Sequence, residues 1–372
     1  MKKRFLITRW IVGLLFIFSG LVKANDPLGL SYKMQEFFEA WGFNGSLNDY
    51  TLALSLMMNV FEVLAGVAVI IGWRMKLFSW LLLLLIIFFS FLTGYALLSG
   101  KIKTCGCFGD CLPLTPLESF LKDLFLLLLI LILFFNKNRI TSALAAPLPQ
   151  TLLLVCIIAV SWMQWYVLNH LPFVDCLPYK PGKNIVEEMK VPVGSIPDRY
   201  EITFTYKKNG KVVEFSQDTL DKVPNLDTYE YVDRKEKIIK GNGGEAKIVD
   251  FALQTTDGTD TTLPVLNQGN YYIMLFAKTL DNVNDWQADM QQVLAIAKGK
   301  NIPFFLVTGE KDKAMNMFGA NPNIHILICD GTVIKTAARV NPTYFIMKQA
   351  YIRGKWSYKN VDDTKKMLNT LQ

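Results

Sequence analysis

Before Cys176 the chain is dominated by long apolar runs, of which Ser79 to Thr93 is almost unbroken. A bilayer's hydrocarbon core, ~30 Å thick, is crossed by ~20 apolar helical residues, because there every backbone polar group must be satisfied within the segment. Five stretches meet that length: Phe5 to Leu21, Leu52 to Trp73, Leu77 to Leu98, Leu117 to Phe135 and Leu148 to Leu168. From Lys180 to Gln372 charge, Gly, Pro and alternating hydrophobics replace the runs, so the 372 residues divide near Cys176. The formal net charge of +7 is spread thinly and clusters beside the apolar runs. That pattern anchors a chain in a lipid bilayer and argues against a nucleic-acid partner.

Met1 to Asn25 also has the features of a cleaved signal peptide, since Lys2, Lys3 and Arg4 precede its apolar stretch and Val22-Lys23-Ala24 resembles a cleavage site. Arg9 inside the stretch argues for retention as a first span. Positive charge resists export, and Lys2, Lys3 and Arg4, then Arg74 and Lys76, then Lys137 and Arg139 fall on one side, with Lys101 and Lys103 dissenting. The expectation is a multi-pass protein of the bacterial inner membrane with a cytoplasmic N-terminus. The loops Asn25 to Tyr50 and Gly100 to Pro116, and everything after the fifth span, then face the periplasm.

Cys105, Cys107, Cys111 and Cys176 thereby fall in an oxidising compartment, at one membrane surface. The two glycines of Cys105-Gly-Cys107-Phe-Gly-Asp-Cys111 permit a tight turn that brings sulfurs together. Exchange needs a thiolate in line with a neighbouring sulfur, which an exposed, flexible CxC provides and a packed one does not. Three complete pairings of the four cysteines are open. A structural staple and thiol exchange are both consistent with the spacing; metal binding is disfavoured because the loop has no His, and no metal is expected. Cys156, mid-span, and Cys329, in an apolar run, read as small core residues. Arg9, Glu62 and Asp123 lie inside apolar runs and should face the bundle interior. The expected pairs are Arg9 with Glu62, and Lys23 with Asp123. They either fix helix register or form a polar pocket beneath the cysteine loop.

The first 140 residues resemble the DoxX superfamily, and more closely its MauE-like methylamine-utilisation branch. The resemblance rests on Arg9, Gly13, Phe16, Ser19-Gly20, Lys23-Ala24 and Asp26-Pro27 in the first helix, and on Glu62, Gly66 and Gly72 in the second. Thr93 and Tyr95 leading into Cys105-Gly-Cys107-Phe-Gly109, and Lys122-Asp123 in the fourth helix, complete it. It implies a four-helix membrane bundle (1–140), to which 147–170 adds a fifth transmembrane helix. It also implies periplasmic disulfide formation or electron transfer to quinone; the membrane charges Arg9, Glu62 and Asp123 are then expected to bind the quinone, in a polar pocket that accepts protons during its reduction.

Residues 171–246 read as a linker containing a β-hairpin, Tyr200 to Tyr206 and Lys211 to Phe215 around the turn Lys207 to Gly210. A second hairpin is expected from Ile248 to Thr262 around Asp257-Gly258. Strands at Tyr271 to Ala277, Pro303 to Thr308, Ile324 to Cys329 and Thr343 to Lys348 alternate with helices at Asp285 to Lys298 and Asp312 to Phe318. A final helix begins at Val361, and together these predict an α/β sheet covered on both faces. Residues 247–372 are similar to the thioredoxin-like fold, especially membrane-tethered periplasmic members related to TlpA and the peroxiredoxins. Asp250-Phe251, Asp257-Gly258 and Leu263 match the entry hairpin, and Asn341-Pro342-Thr343 matches the segment carrying a cis-proline. Where that fold carries its redox CxxC, this chain reads Lys278 to Asn284 without cysteine. The domain cannot itself run a dithiol cycle and is expected to bind a periplasmic partner, shield the membrane cysteines or present a thiol substrate to them. Trp286 and Trp356 read as packing residues, and His170 and His325 are assigned no role.

Two functions follow. In one, Cys105 and Cys107 form the exchanging pair of a membrane thiol oxidoreductase, Cys111 and Cys176 relay to it or brace it, and electrons pass to quinone. In the other, the chain is a non-catalytic membrane anchor or assembly factor.

Overall fold

A computed structural model describes the chain except residues 1, 44, 46, 101, 103, 105, 196–198, 209–210, 217–219, 221–227, 240, 242–243, 245 and 372. Cys105, Lys101, Lys103 and the tip of the first expected hairpin lie outside the described residues.

Six long helices come first: α1 (Lys2–Asn25), α2 (Pro27–Ala40), α3 (Thr51–Ile71), α4 (Met75–Ser99), α5 (Pro116–Phe135) and α6 (Leu148–Asn169). Four of them, α1, α3, α4 and α6, are long and apolar enough to cross a membrane. This is a multi-pass membrane protein. Their outer faces leave Trp10, Phe18, Leu84, Phe91 and Ile158 exposed, as a lipid-facing surface requires. α5 has the same apolar body but begins with Glu118, Lys122 and Asp123; a Thr115–Glu118 capping box and Pro116 in its first turn start it. α2 falls in a segment expected to be a loop. Asp26 caps it by accepting from the Gly29 N–H at 3.0 Å, and Pro27 sits in its first turn.

Helices α1 and α3 approach closely because glycines face each other. A Cβ on Gly66 would lie 2.6 Å from the Gly13 carbonyl oxygen, and one on Gly13 would lie 2.7 Å from that of Gly66. Val12, Phe16, Ala65 and Val69 then pack with Leu82 and Ile86 of α4 and Leu126, Ile130 and Leu133 of α5 into one core.

The C-terminal domain contains two sheets. After α7 (Ile185–Glu188), the strands β1 (Arg199–Lys208), β2 (Lys211–Ser216) and β3 (Glu230–Ile239) form an antiparallel sheet in the order β2-β1-β3. The expected hairpin is β1–β2; β3 was not anticipated. Next come α8 (Thr262–Leu266), β4 (Tyr272–Ala277), α9 (Gln287–Gly299), β5 (Phe304–Thr308), α10 (Lys311–Phe318), β6 (His325–Ile328) and α11 (Gly331–Ala337). β7 (Thr343–Lys348), β8 (Tyr351–Ser357) and α12 (Val361–Thr370) complete the chain. The second sheet has the order β6-β5-β4-β7-β8, with β4, β5 and β6 parallel and β7 and β8 antiparallel.

Every residue of β4 is buried, and alternate residues serve opposite cores: Met274 and Phe276 with Tyr179, Phe251 and Ile334, and Ile273 and Leu275 with Trp286, Val293 and Leu368. Trp286 is a core residue, and Trp356 is partly buried against the same core. The expected second hairpin is not a pair of strands. Its residues make a tight turn, with the Gly258 N–H donating to Thr255, and single bridges from Gln254 to Asp260 and Ile328. The Asn341–Pro342 bond is cis, as the resemblance implied.

Candidate functional site

The cysteine turn is packed against the bundle. Ile102 is buried with Phe37 and Ala96, and Gly106 and Gly109 take positive φ values of +66 and +57. The Gly109 N–H donates to the Gly106 carbonyl at 3.0 Å, closing the turn, and the Ser19 hydroxyl donates to the Cys107 carbonyl at 3.0 Å. Phe108 packs edge-on against Phe18. Cys111 and Cys176 form a disulfide with their Cα atoms 4.8 Å apart, which ties the turn to the segment following α6. Cys107 is half-buried and not in a disulfide. Cys156 and Cys329 are free thiols. Burial, helped by Asp330, pushes the Cys329 thiol up to about 12.

Cys107 lines a cavity of about 220 Å³ bounded by α1 to α5 and the cysteine turn. Its walls are mostly apolar, with Phe16, Phe37, Phe38, Trp41 and Phe89 among them; its polar groups include Ser19, Lys23, Thr93, Lys122 and Asp123. The charges are paired. Lys23 meets Glu62 at 2.5 Å with both side chains buried, Lys122 meets Asp123 at 2.8 Å, and the Thr93 hydroxyl donates to the other Asp123 oxygen at 3.1 Å. Burial pushes the Cys107 thiol up; the Lys122 ammonium pulls it down, Asp123 raises it, and Lys23 and a Ser119 hydrogen bond lower it, leaving a net rise.

Both expected ion pairs are overturned. Arg9 does not meet Glu62; it donates to the Val69 carbonyl at 2.9 Å and to that of Ile70. There Gly72, at φ +72, ends α3 in a left-handed cap whose missing Cβ leaves room for the guanidinium. Lys23 takes Glu62, and Asp123 takes its neighbour Lys122. Of Arg9, Glu62 and Asp123, only Asp123 lines the cavity; Glu62 stands one residue behind it, and Arg9 is elsewhere. Among the described residues no cluster of three or more His, Cys, Asp or Glu side chains is placed to hold a metal ion.

The C-terminal domain sits over this end of the bundle. Arg339 donates to both Asp26 oxygens, at 2.8 and 3.1 Å, and to Asp110 at 2.7 Å. Lys355 reaches Asp175 at 2.7 Å, the Ser357 hydroxyl donates to the Asn169 carbonyl at 2.6 Å, and His170 meets Asn360 at 2.8 Å. Burial works against the charges of Arg339 and Lys355. Asp26 and Asp110 outweigh it for Arg339, whose pKa rises, whereas for Lys355 burial outweighs Asp175 and the pKa falls. The cysteine-free segment from Lys278 is part of the same interface: Lys278, Lys335 and Arg339 lie about 5.5 Å from the Tyr32 ring of α2.

Residues 1–136 match the family model of methylamine utilisation protein MauE. Over these residues the helical half is similar to that family. Residues 200–241, which include most of β1, all of β2 and β3, match a domain of unknown function (DUF8463). Protein TlpB of Flavobacterium psychrophilum is 30% identical over 119 residues, 32% of this chain, and the match spans only 29% of that protein. No solved structure matches the chain.

Within residues 1–136, Lys23, Lys122 and Thr93 line the cavity, where the sequence reading paired Lys23 with Asp123 and left Lys122 and Thr93 without a site role. The signal for Lys23 was present: a lysine in the last turn of an apolar helix, with an intramembrane Glu62 on the following span. Nothing in the sequence pointed to Arg339, whose partners are 229 and 313 residues away.

Proposed function

We propose that this chain supports thiol–disulfide exchange on the periplasmic side of the bacterial inner membrane, with Cys105 and Cys107 as the exchanging pair and a membrane quinone as electron acceptor. In this reading α1, α3, α4 and α5 are the four helices of a DoxX-like bundle, α6 is a fifth span, and residues 247–372 are a thioredoxin-like domain without a CxxC. The observation that carries it is the position of Cys107, a thiol outside any disulfide at the polar end of an apolar cavity inside a membrane bundle.

The cavity suits a quinone ring. Cavities of about 150 Å³ hold benzene, and about 220 Å³ between aromatic walls leaves room for ring substituents. Lys23 and Lys122 supply donors for ring oxygens, and the buried Asp123 carboxylate supplies an acceptor. A bound quinone takes two electrons and two protons; a partner dithiol loses them and becomes a disulfide. Cys107 faces the cavity, where burial raises its pKa and the Lys122 ammonium offsets part of that rise.

A second reading, a non-catalytic anchor whose C-terminal domain binds a periplasmic partner, draws on the Cys111–Cys176 brace and on the absence of cysteine from Lys278 to Asn284. Redox titration of the purified protein separates the two. Thiol exchange predicts that Cys105 and Cys107 titrate within the glutathione range; a pair that stays oxidised to below about −300 mV behaves as a staple and contradicts it.

A further inference from the structure

The two residues that precede the disulfide cysteines, Asp110 and Asp175, each hold a buried cation of the C-terminal domain. Asp110 pairs with Arg339 and Asp175 with Lys355, and these two cationic side chains are 5% and 2% exposed. The disulfide thus fixes the spacing of two carboxylates that the C-terminal domain reads with two cations. The cysteine turn is pinned from outside by one covalent bond and one ion pair.

Inside the turn the situation is reversed. Cys107 lines the cavity, its carbonyl is held by Ser19, and the adjacent Phe108 packs on Phe18 with the Lys122 ammonium 5.1 Å from its ring. A macromolecular sulfur must come in line with a thiol to exchange with it, and this packing turns Cys107 away from such an approach. Cys111, by contrast, is exposed. The Cys111 end of the disulfide is open to a partner's thiolate, whereas Cys107, half-buried, faces the cavity.

We infer that the Cys111–Cys176 disulfide is a latch that keeps Cys107 covered, and that a partner protein carrying a dithiol opens it. A thiolate of the partner attacks the exposed disulfide and its second thiol resolves the mixed disulfide. Two electrons and two protons pass to Cys111 and Cys176, which become thiols, and the partner leaves oxidised. Asp110 is then no longer tethered to Asp175, and the turn, left with its partly exposed ion pair to Arg339 and the Ser19 and Phe18 contacts, opens away from the cavity more readily. The inference adds regulation to the site proposed above and rests on that reading for its purpose. Its mechanical content holds whether or not Cys107 carries electrons.

The test uses the full chain with Cys105→Ser, so that Cys107 has no CxC neighbour, in lipid nanodiscs with and without a phosphine reductant. Labelling of Cys107 by a bulky water-soluble maleimide is followed by peptide mass spectrometry, with Cys329 as an internal gauge of unfolding. Reduction should raise the Cys107 labelling rate roughly tenfold or more, as when a local opening equilibrium shifts by about 1.4 kcal/mol. Adding Cys111→Ser and Cys176→Ser should give the fast rate without reductant, and Cys329 should stay unlabelled throughout. Equal Cys107 rates in all samples would overturn the latch. So would Cys329 labelling that rises in step with Cys107, because the disulfide would then be holding the whole fold. Neither result bears on electron transfer, which is scored separately by loss of partner oxidation in Cys107→Ser.

Discussion

Lys23 and Glu62 show how a buried pair binds its members to each other. Both side chains are buried at 2.5 Å, so removing one leaves an uncompensated charge in an apolar bundle. Lys23→Met should destabilise the helical half by about 3–5 kcal/mol, and Glu62→Gln added to it should restore most of the loss; chemical denaturation of the detergent-solubilised protein measures both. Cys329 gives a pH signature of opposite origin. Its thiol keeps its proton to about pH 12 in the folded chain, while an unfolded thiol releases it near 9. The folded state therefore binds more protons between these values, and stability attributable to Cys329 falls as pH rises from about 9 to 12 and is unaffected below. Cys329→Ala should flatten stability over that window, and the native thiol should resist iodoacetamide at pH 8.5. The charges themselves were legible in the sequence as buried and functional candidates, but their partners were not. Position along a helix gives depth in the membrane, whereas pairing depends on rotation about the helix axis, which is why Arg9 was matched to Glu62 and not to the carbonyls at the Gly72 cap.

At the level of elements, the close approach of α1 and α3 depends on Gly13 and Gly66. A leucine at Gly66 would have to enter space 2.6 Å from a backbone oxygen, so Gly66→Leu should separate the helices. Because α1 carries Ser19 and Lys23 into the cavity, the same variant should weaken protection of the cysteine turn in hydrogen-exchange measurements. The long apolar helices were readable because their length and composition leave few alternatives in a bilayer. α2 is readable in principle from Asp26-Pro27, an N-cap followed by a first-turn proline, but its mixed polar and aromatic residues lack the apolar run that marks a span. β3 was hidden for a different reason: Asp233 to Lys237 is a run of charges without period-two alternation, and its strand state comes from pairing with β1.

For the whole molecule, the order of the two halves follows from the sequence, but their docking does not. Arg339 bridges Asp26 and Asp110 across the interface while almost fully buried, and no local pattern announces such a contact. Arg339→Met should loosen the C-terminal domain, seen as faster hydrogen exchange in α2 and the cysteine turn with the β4–β5 core unchanged. The candidate site was half legible: the CGCFGDC turn and the membrane charges were identified, whereas the cavity and the choice of Cys176 as the partner of Cys111 required the packed chain. The central claim is that Cys107, facing that cavity, carries electrons out of partner thiols. Proteoliposomes containing the full chain, a reduced dithiol protein and a quinone test it most directly, with quinol formation and partner disulfides measured together. The account predicts one quinol per partner disulfide with the natural sequence and at least about a hundredfold slower formation of both with Cys107→Ser; equal rates from the two proteins would contradict it.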